Sequence, residues 1–239
     1  MQKVFTFIIV ITIFIVNLQA KQINESVILL HGLGDVKLSM LKLEIALKEE
    51  GYTTKNIGYS SNGETIESLA EKELSEIVER YKKIGFDKIH FVTHSMGGLI
   101  VRCYLQDHEL PEGSRIVMLS PPNKGSEVAD HFKESKFYNL IVGDVGQELA
   151  TDSNILSELK QIIPEIGIIA GDKSTNSYFS KIIPGEDDGR VAVDNTKLIE
   201  MKDFMIVHST HLTIKYNDEV IRQTVFFLQN GKFYKNIKE

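Results

Sequence analysis

Three kinds of chemically active side chain follow short apolar segments of this sequence. Ser95 ends the segment KIHFVTHS and is followed at once by Met-Gly-Gly. A serine hydroxyl becomes a useful nucleophile when an imidazole takes its proton and a carboxylate orients that imidazole. Later apolar segments are followed by candidates for both partners: the acids Asp172, Asp187 and Asp188, and the histidines His208 and His211.

The residues around Ser95 predict a strand, a sharp turn and a helix. Residues 89–92 form an apolar run of strand length, and residues 99–105 resume with helical spacing. Such a turn, called a nucleophile elbow, raises the serine hydroxyl above the sheet and places it at a helix N-terminus, which favours negative charge. The usual pattern is G-x-S-x-G; Gly97 fits it, but Thr93 replaces the first glycine and predicts a more crowded turn.

Strands and helices alternate along the chain. Strands are expected at 26–30, 53–59, 89–92, 115–119, 167–170 and 204–207, and helices at 39–50, 65–84, 99–105 and 217–228. The alternation predicts an α/β fold with a mainly parallel central sheet and helices on both faces. The less regular stretch 127–163 is either a cap over the site or a helical excursion.

The carboxyl ends of parallel strands are where such a sheet places its site. Besides Ser95, the turn His31-Gly32-Leu33-Gly34 follows the first expected strand. A glycine turn there lets backbone N–H groups point into the site without obstruction, as stabilisation of an oxyanion requires. The alternative interpretation of this turn is an ordinary connection between strand and helix.

Composition narrows the function classes. The net charge of −6 gives no support for a nucleic-acid partner, and the single Cys103 excludes an intrachain disulfide and a multi-cysteine metal site. Residues 1–20, with Lys3 before an apolar run and Ala20 at the end, predict an export signal, or an uncleaved anchor as the alternative. We therefore expect a periplasmic or secreted protein whose residues 21–239 form a single domain.

Taken together, the motifs resemble those of bacterial α/β-hydrolases of the lipase and esterase kind. The matching segments are HGLG at 31–34, YSSNGETIESLA at 59–70, THSMGGLIVR at 93–102, PPNKGSEVAD at 121–130, DDGRV at 187–191, and His211. The chain order Ser, Asp, His is also the order of that family. The resemblance covers nearly the whole of residues 21–239 and implies the α/β-hydrolase fold.

The resemblance implies a role for each matching residue. Ser95 becomes the nucleophile, His211 its general base, and Asp188 the acid that orients the histidine. The backbone N–H groups of Leu33 and Met96 become the oxyanion hole. His31 then supports its loop rather than transferring protons.

Several alternatives stay open from the residues alone. Asp187 and Asp172 compete with Asp188 for the role of the acid, and His208 competes with His211 for the role of the base. The remaining histidines are expected to pack or to lie on the surface: His90, His94, His108 and His131. No set of side chains has clear metal-ligand spacing, although Asp172 and Asp187 leave a calcium site as an alternative.

The expected activity is hydrolysis of carboxylic esters, of lipids or short acyl groups, through an acyl-enzyme and without a cofactor. Transient contact with a lipid surface would accompany a lipid substrate. One rival is an acyltransferase that passes the same acyl group to an alcohol or amine. A second rival is a catalytically silent hydrolase fold that serves as a binding module.

Overall fold

The computed structural model describes residues 23–60, 63–135 and 143–235, so the predicted export signal lies outside the described residues. The strands are β1 (Glu25–Leu30), β2 (Thr53–Ile57), β3 (Lys88–His94), β4 (Arg115–Leu119), β5 (Glu165–Gly171) and β6 (Asp203–Val207). The helices are α1 (Leu41–Glu49), α2 (Ile66–Ile84), α3 (Gly97–Tyr104), α4 (Glu127–Phe132), α5 (Asp144–Glu148), α6 (Asn154–Glu158), α7 (Val193–Thr196) and α8 (Asp218–Asn230).

The six described strands form one parallel sheet in the order β2-β1-β3-β4-β5-β6. The prediction of an α/β fold with a mainly parallel sheet is therefore confirmed. Strand order reverses direction between β1 and β3, and a crevice opens at such a switch point beyond the carboxyl ends of the strands. The loops after β1 and β3, which carry His31 and Ser95, both begin there.

Element boundaries differ from the predicted ones by a few residues, for local reasons. A 3₁₀ turn at Lys37–Met40 precedes α1, and β2 ends at Ile57 rather than at residue 59. The α2 helix begins after Thr65, whose hydroxyl oxygen accepts a hydrogen bond from the Ser68 N–H at 3.1 Å. It ends at Gly85, whose φ of +89° suits glycine.

Apolar side chains cover both faces of the sheet, because side chains alternate between the faces along each strand. On one face α2 and α3 pack against residues such as Ile28, Leu30 and Phe91. On the other face α1 and α8 pack against Val27, Leu29 and their neighbours. None of the helices among the described residues is both long enough and apolar enough to cross a membrane.

A polar network at the start of the sheet gives a prediction about stability and pH. The Glu25 carboxylate accepts hydrogen bonds from the His90 ring at 3.0 Å and the Lys88 ammonium at 2.7 Å. His90, acting through its hydrogen bond, lowers the pKa of Glu25 from 4.5 to about 2, with Lys88 adding to the effect and burial opposing it. A lowered pKa contributes stability above the ordinary pKa, and this contribution disappears as the pH falls through the lowered value.

We therefore expect Glu25→Gln to reduce the free energy of unfolding at pH 7 by about 1–2 kcal/mol. The difference from the unmodified protein should shrink as the pH falls from 4.5 to about 2. Urea denaturation at a series of pH values measures this difference. A difference that does not change with pH would contradict the lowered pKa of Glu25 as its cause.

Candidate active site

Ser95 adopts the left-handed backbone conformation that its tight turn requires. Its φ is +53°, in the left-handed region, which costs a non-glycine residue about 1–3 kcal/mol. A Cβ at Gly97 would lie 2.9 Å from the carbonyl oxygens of both Leu30 and His31, so only glycine fits there. Thr93 is fully buried beneath this turn, which forms in its presence. The elbow therefore tolerates the threonine in place of the usual glycine.

The structure brings Ser95, His211 and Asp188 together. The Ser95 hydroxyl lies 3.0 Å from His211 Nε2, and His211 Nδ1 lies 2.8 Å from Asp188 Oδ2. All three side chains are buried, although they are separated by up to 116 positions in the chain. With Nδ1–H donating to the carboxylate, Nε2 is free to accept the proton of the serine hydroxyl. This is the arrangement that activates a serine in hydrolases.

Backbone and hydroxyl donors fix the Asp188 carboxylate in this orientation. Its Oδ1 accepts hydrogen bonds from the N–H groups of Arg190 at 3.0 Å and Val191 at 2.9 Å. Burial, the largest influence, would raise the pKa of Asp188. The charge and hydrogen bond of His211, with help from the Ser120 hydroxyl and the Val191 N–H, outweigh burial and lower it. The carboxylate therefore stays ionised beside the histidine.

The alternative candidates for the acid and the base have partners other than Ser95 and His211. Asp187 Oδ1 accepts hydrogen bonds from the Gly189 N–H at 2.7 Å and the Ser180 hydroxyl at 3.1 Å, which makes it a turn-forming residue. Asp172 pairs with His208 at 2.9 Å, and the His208 side chain is 73% exposed. The described residues contain no cluster of three or more histidine, cysteine or acidic side chains that could hold a metal ion.

The loop after β1 borders the same cavity as Ser95. Leu33 lines the same cavity as Ser95, and Met96 begins the turn into α3. The His31 ring stacks on Tyr59 at 4.2 Å, and the Tyr59 hydroxyl donates to the His31 carbonyl oxygen, as expected of a residue that supports this loop. A Cβ on Gly32 would lie 2.9 Å from the Cβ of Ser95, so this loop approaches the serine as closely as glycine allows.

His94 has a larger part in the site than its predicted packing role. Its Nε2–H donates to the His211 carbonyl oxygen at 2.8 Å, and the two rings lie 4.9 Å apart. Burial, reinforced by the nearby charges of His211 and Lys215, holds the pKa of His94 well below its ordinary value. A neutral His94 therefore anchors the backbone of His211. Sequence position alone gave no sign of this contact.

A buried ion pair links the loop after β1 to the loop that carries His211. The Lys215 ammonium lies 2.5 Å from Asp35 Oδ2, and its side chain is only 3% exposed. Asp35 follows the HGLG turn directly, and Lys215 lies four residues after His211. The pair therefore holds two loops that meet at the site.

We expect Asp35→Asn to destabilise the fold by about 3 kcal/mol, because the buried Lys215 charge loses its partner. Thermal unfolding measures this effect. The matched control is Lys42→Met, which removes the exposed pair between Lys42 and Asp218. An equal loss of stability in both variants would show that burial of the Asp35–Lys215 pair has no special effect.

A cavity of about 750 Å³ opens at Ser95. Its apolar wall is formed mainly by residues of α4 and its surroundings and of the segments on either side of Asp188: Val128, Ala129, Phe132, Leu149, Phe179 and Val191. The described part of the stretch 127–163 therefore borders the cavity. That this stretch moves as a lid stays a prediction. The volume and the apolar lining suit a small organic substrate with a hydrocarbon portion.

Comparisons with known proteins agree with this architecture. A family model for the alpha/beta hydrolase fold matches residues 25–140, whereas no curated protein matches the chain significantly. The mature lipase BlEst2 of Bacillus licheniformis has a TM-score of 0.70 at 18% identity, covering 85% of this chain and 91% of that protein.

Two further structures are similar. The product of gene lin2722 of Listeria innocua has a TM-score of 0.62 at 19% identity, covering 90% of this chain and 96% of that one. The carboxyl esterase MGS0156, of metagenomic origin, has a TM-score of 0.62 at 18% identity, covering 80% and 65%. The chain therefore has the α/β-hydrolase fold, as its motifs predict.

Proposed function

We propose that this protein hydrolyses carboxylic esters through an acyl-enzyme formed on Ser95. The observation that carries the proposal is the hydrogen-bonded series Ser95–His211–Asp188, with distances of 3.0 Å and 2.8 Å, on a strained elbow beside an apolar cavity. The similarity of the fold to a lipase and to a carboxyl esterase supports the choice of ester substrates.

In the proposed reaction, Ser95 Oγ attacks the ester carbonyl carbon while His211 Nε2 takes the hydroxyl proton. Asp188 holds His211 in the required tautomer and stabilises the imidazolium that forms. The N–H groups of Leu33 and Met96 stabilise the negative oxygen of the tetrahedral intermediate. His211 then gives its proton to the leaving alcohol, and water releases the acyl group by the same steps in reverse.

Hydrolysis of chromogenic esters with acyl chains of increasing length tests this proposal. We expect activity on at least part of the series, and covalent labelling by a fluorophosphonate that mass spectrometry locates on Ser95. Adding alcohol acceptors separates hydrolysis from acyl transfer, because a transferase would convert them into new esters. A protein that neither cleaves any ester nor reacts with the probe would be the silent binding module instead.

The proposed enzyme acts outside the cytoplasm, in the periplasm or after secretion. Lys3, the apolar residues 4–16 and Ala20 support this placement as features of an export signal. Expression of the full chain followed by cell fractionation tests it. Removal of the N-terminal residues, determined by mass spectrometry of the exported protein, would distinguish a cleaved signal from an uncleaved anchor.

A further inference from the structure

Among the described residues, the lysine and arginine side chains that line the Ser95 cavity are those of Lys215 and Arg190, and they differ in how their charges are balanced. Lys215 is buried and pairs with Asp35 at 2.5 Å, so its charge is compensated within the protein. Arg190 is exposed at the cavity. Arg115 and Arg222 form ion pairs with glutamates, whereas Arg190 forms none with any carboxylate of the described residues.

The acids nearest to Arg190 in the chain are occupied elsewhere. Asp188 is buried against His211, and Asp187 accepts hydrogen bonds from Gly189 and Ser180. Neither carboxylate neutralises the guanidinium. The positive charge of Arg190 is therefore available to a molecule that enters the cavity.

The backbone of Arg190 is held on both sides. Its N–H donates to Asp188 Oδ1 at 3.0 Å, and its carbonyl oxygen accepts a hydrogen bond from the Ser126 hydroxyl at 2.7 Å. Its guanidinium lies over the ring of Phe179, 5.8 Å from the centroid. A cation over an aromatic face is attracted to it but keeps its N–H donors free for an anion.

The ring under Arg190 belongs to the apolar wall of the cavity. Phe179 lies edge-on to Phe132, with ring centroids 5.9 Å apart, and both pack against the cluster of Val128, Ile183 and Ala192. The cavity thus places a hydrocarbon surface directly beside an uncompensated guanidinium. An ester that has an acyl chain and an anionic group near the scissile bond matches both features.

We propose that Arg190 forms an anion subsite, which makes esters with a carboxylate or phosphate near the scissile bond the preferred substrates. The planar guanidinium offers paired N–H donors to either group. This inference rests on the proposed ester hydrolysis and specifies its substrate class. Carboxylate and phosphate share the chemistry that Arg190 recognises, so the test includes one pair of substrates for each.

The first pair is octanoylglycerol and its phosphate monoester, and the second is the octanoyl ester of glycolate and that of glycolamide. Within each pair the acyl chain is the same; the anionic member carries an added phosphate in the first pair and a carboxylate in place of the amide in the second. We expect the unmodified protein to have the higher kcat/KM for the anionic member of at least one pair. Arg190→Gln should lower the ratio of anionic to neutral kcat/KM by about 10-fold, and Arg190→Lys should lower it less.

Arg80→Gln is the matched control, because Arg80 also lies over an aromatic ring, that of Tyr81 at 5.9 Å, but lines a different cleft. This variant should leave the ratio unchanged. An unmodified protein that prefers neutral esters in both pairs, or a ratio that survives Arg190→Gln, would overturn the subsite. Absence of hydrolysis of the neutral esters as well would instead contradict the proposed function, so the two failures are distinguishable.

Discussion

Ester hydrolysis should fall by about 10,000-fold or more when Ser95 is replaced by alanine. In the proposed mechanism the nucleophile and the acyl-enzyme are lost together, and only the proposed oxyanion donors and substrate binding remain to accelerate attack by water. Folding should be preserved, because the substitution removes the hydrogen bond between the Ser95 hydroxyl and His211 but no apolar contact. The measurement is kcat/KM on the best chromogenic ester, with circular dichroism as the check on folding.

Ser126→Ala is a useful control for this experiment. Ser126 also lines the cavity, but its hydroxyl donates to the Arg190 carbonyl oxygen rather than to a histidine. Its loss should reduce activity far less than the loss of Ser95. Comparable losses in both variants, or fluorophosphonate labelling that persists in Ser95→Ala, would show that the nucleophile is another residue.

The sequence was informative about Ser95 because the signal there is local. A strand, a glycine-bearing turn and a helix follow one another between residues 88 and 104, and each part has its own pattern. The same is true of the HGLG turn. Sterics explain why these glycines are required: Gly97 faces two carbonyl oxygens, and Gly32 faces the Cβ of Ser95. A local pattern can report such constraints because neighbouring residues create them.

The choice between Asp187 and Asp188 shows where the residues alone were insufficient. The two acids are adjacent in the same turn and have the same chemistry, and only the resemblance to a family favoured the second. In the structure the turn directs Asp188 toward His211, and Asp187 closes the turn on Gly189. This difference depends on backbone direction within the loop, which composition and periodicity do not encode.

The contacts around His211 could not have been predicted, because they join distant parts of the chain. His94 supports the His211 carbonyl across 117 positions, and Lys215 meets Asp35 across 180 positions. No periodic pattern relates such pairs. They follow from the topology, which brings the loops after β1, β3 and β6 together at one end of the sheet.

Asp188→Asn is expected to lower kcat by about 10,000-fold while Ser95 and His211 remain present. The amide nitrogen of asparagine donates a hydrogen bond, so it can favour the tautomer of His211 whose proton lies on Nε2. That tautomer cannot accept the proton of Ser95, and the developing imidazolium loses its stabilising charge. Kinetics on the same ester measure the loss, and reaction with the fluorophosphonate should slow in parallel because it needs the same activated serine.

Asp187→Asn is the matched control, since it makes the same chemical change one residue earlier. Asparagine at that position can still accept the hydrogen bond from the Gly189 N–H, so the turn should persist and the loss of activity should be much smaller. If Asp187→Asn were the more damaging of the two, the orienting acid would be misassigned. If both had little effect, Ser95 and His211 would act without a carboxylate. That outcome would conflict with the lowered pKa of Asp188, which results from the charge of His211 and from the hydrogen bond between the two side chains.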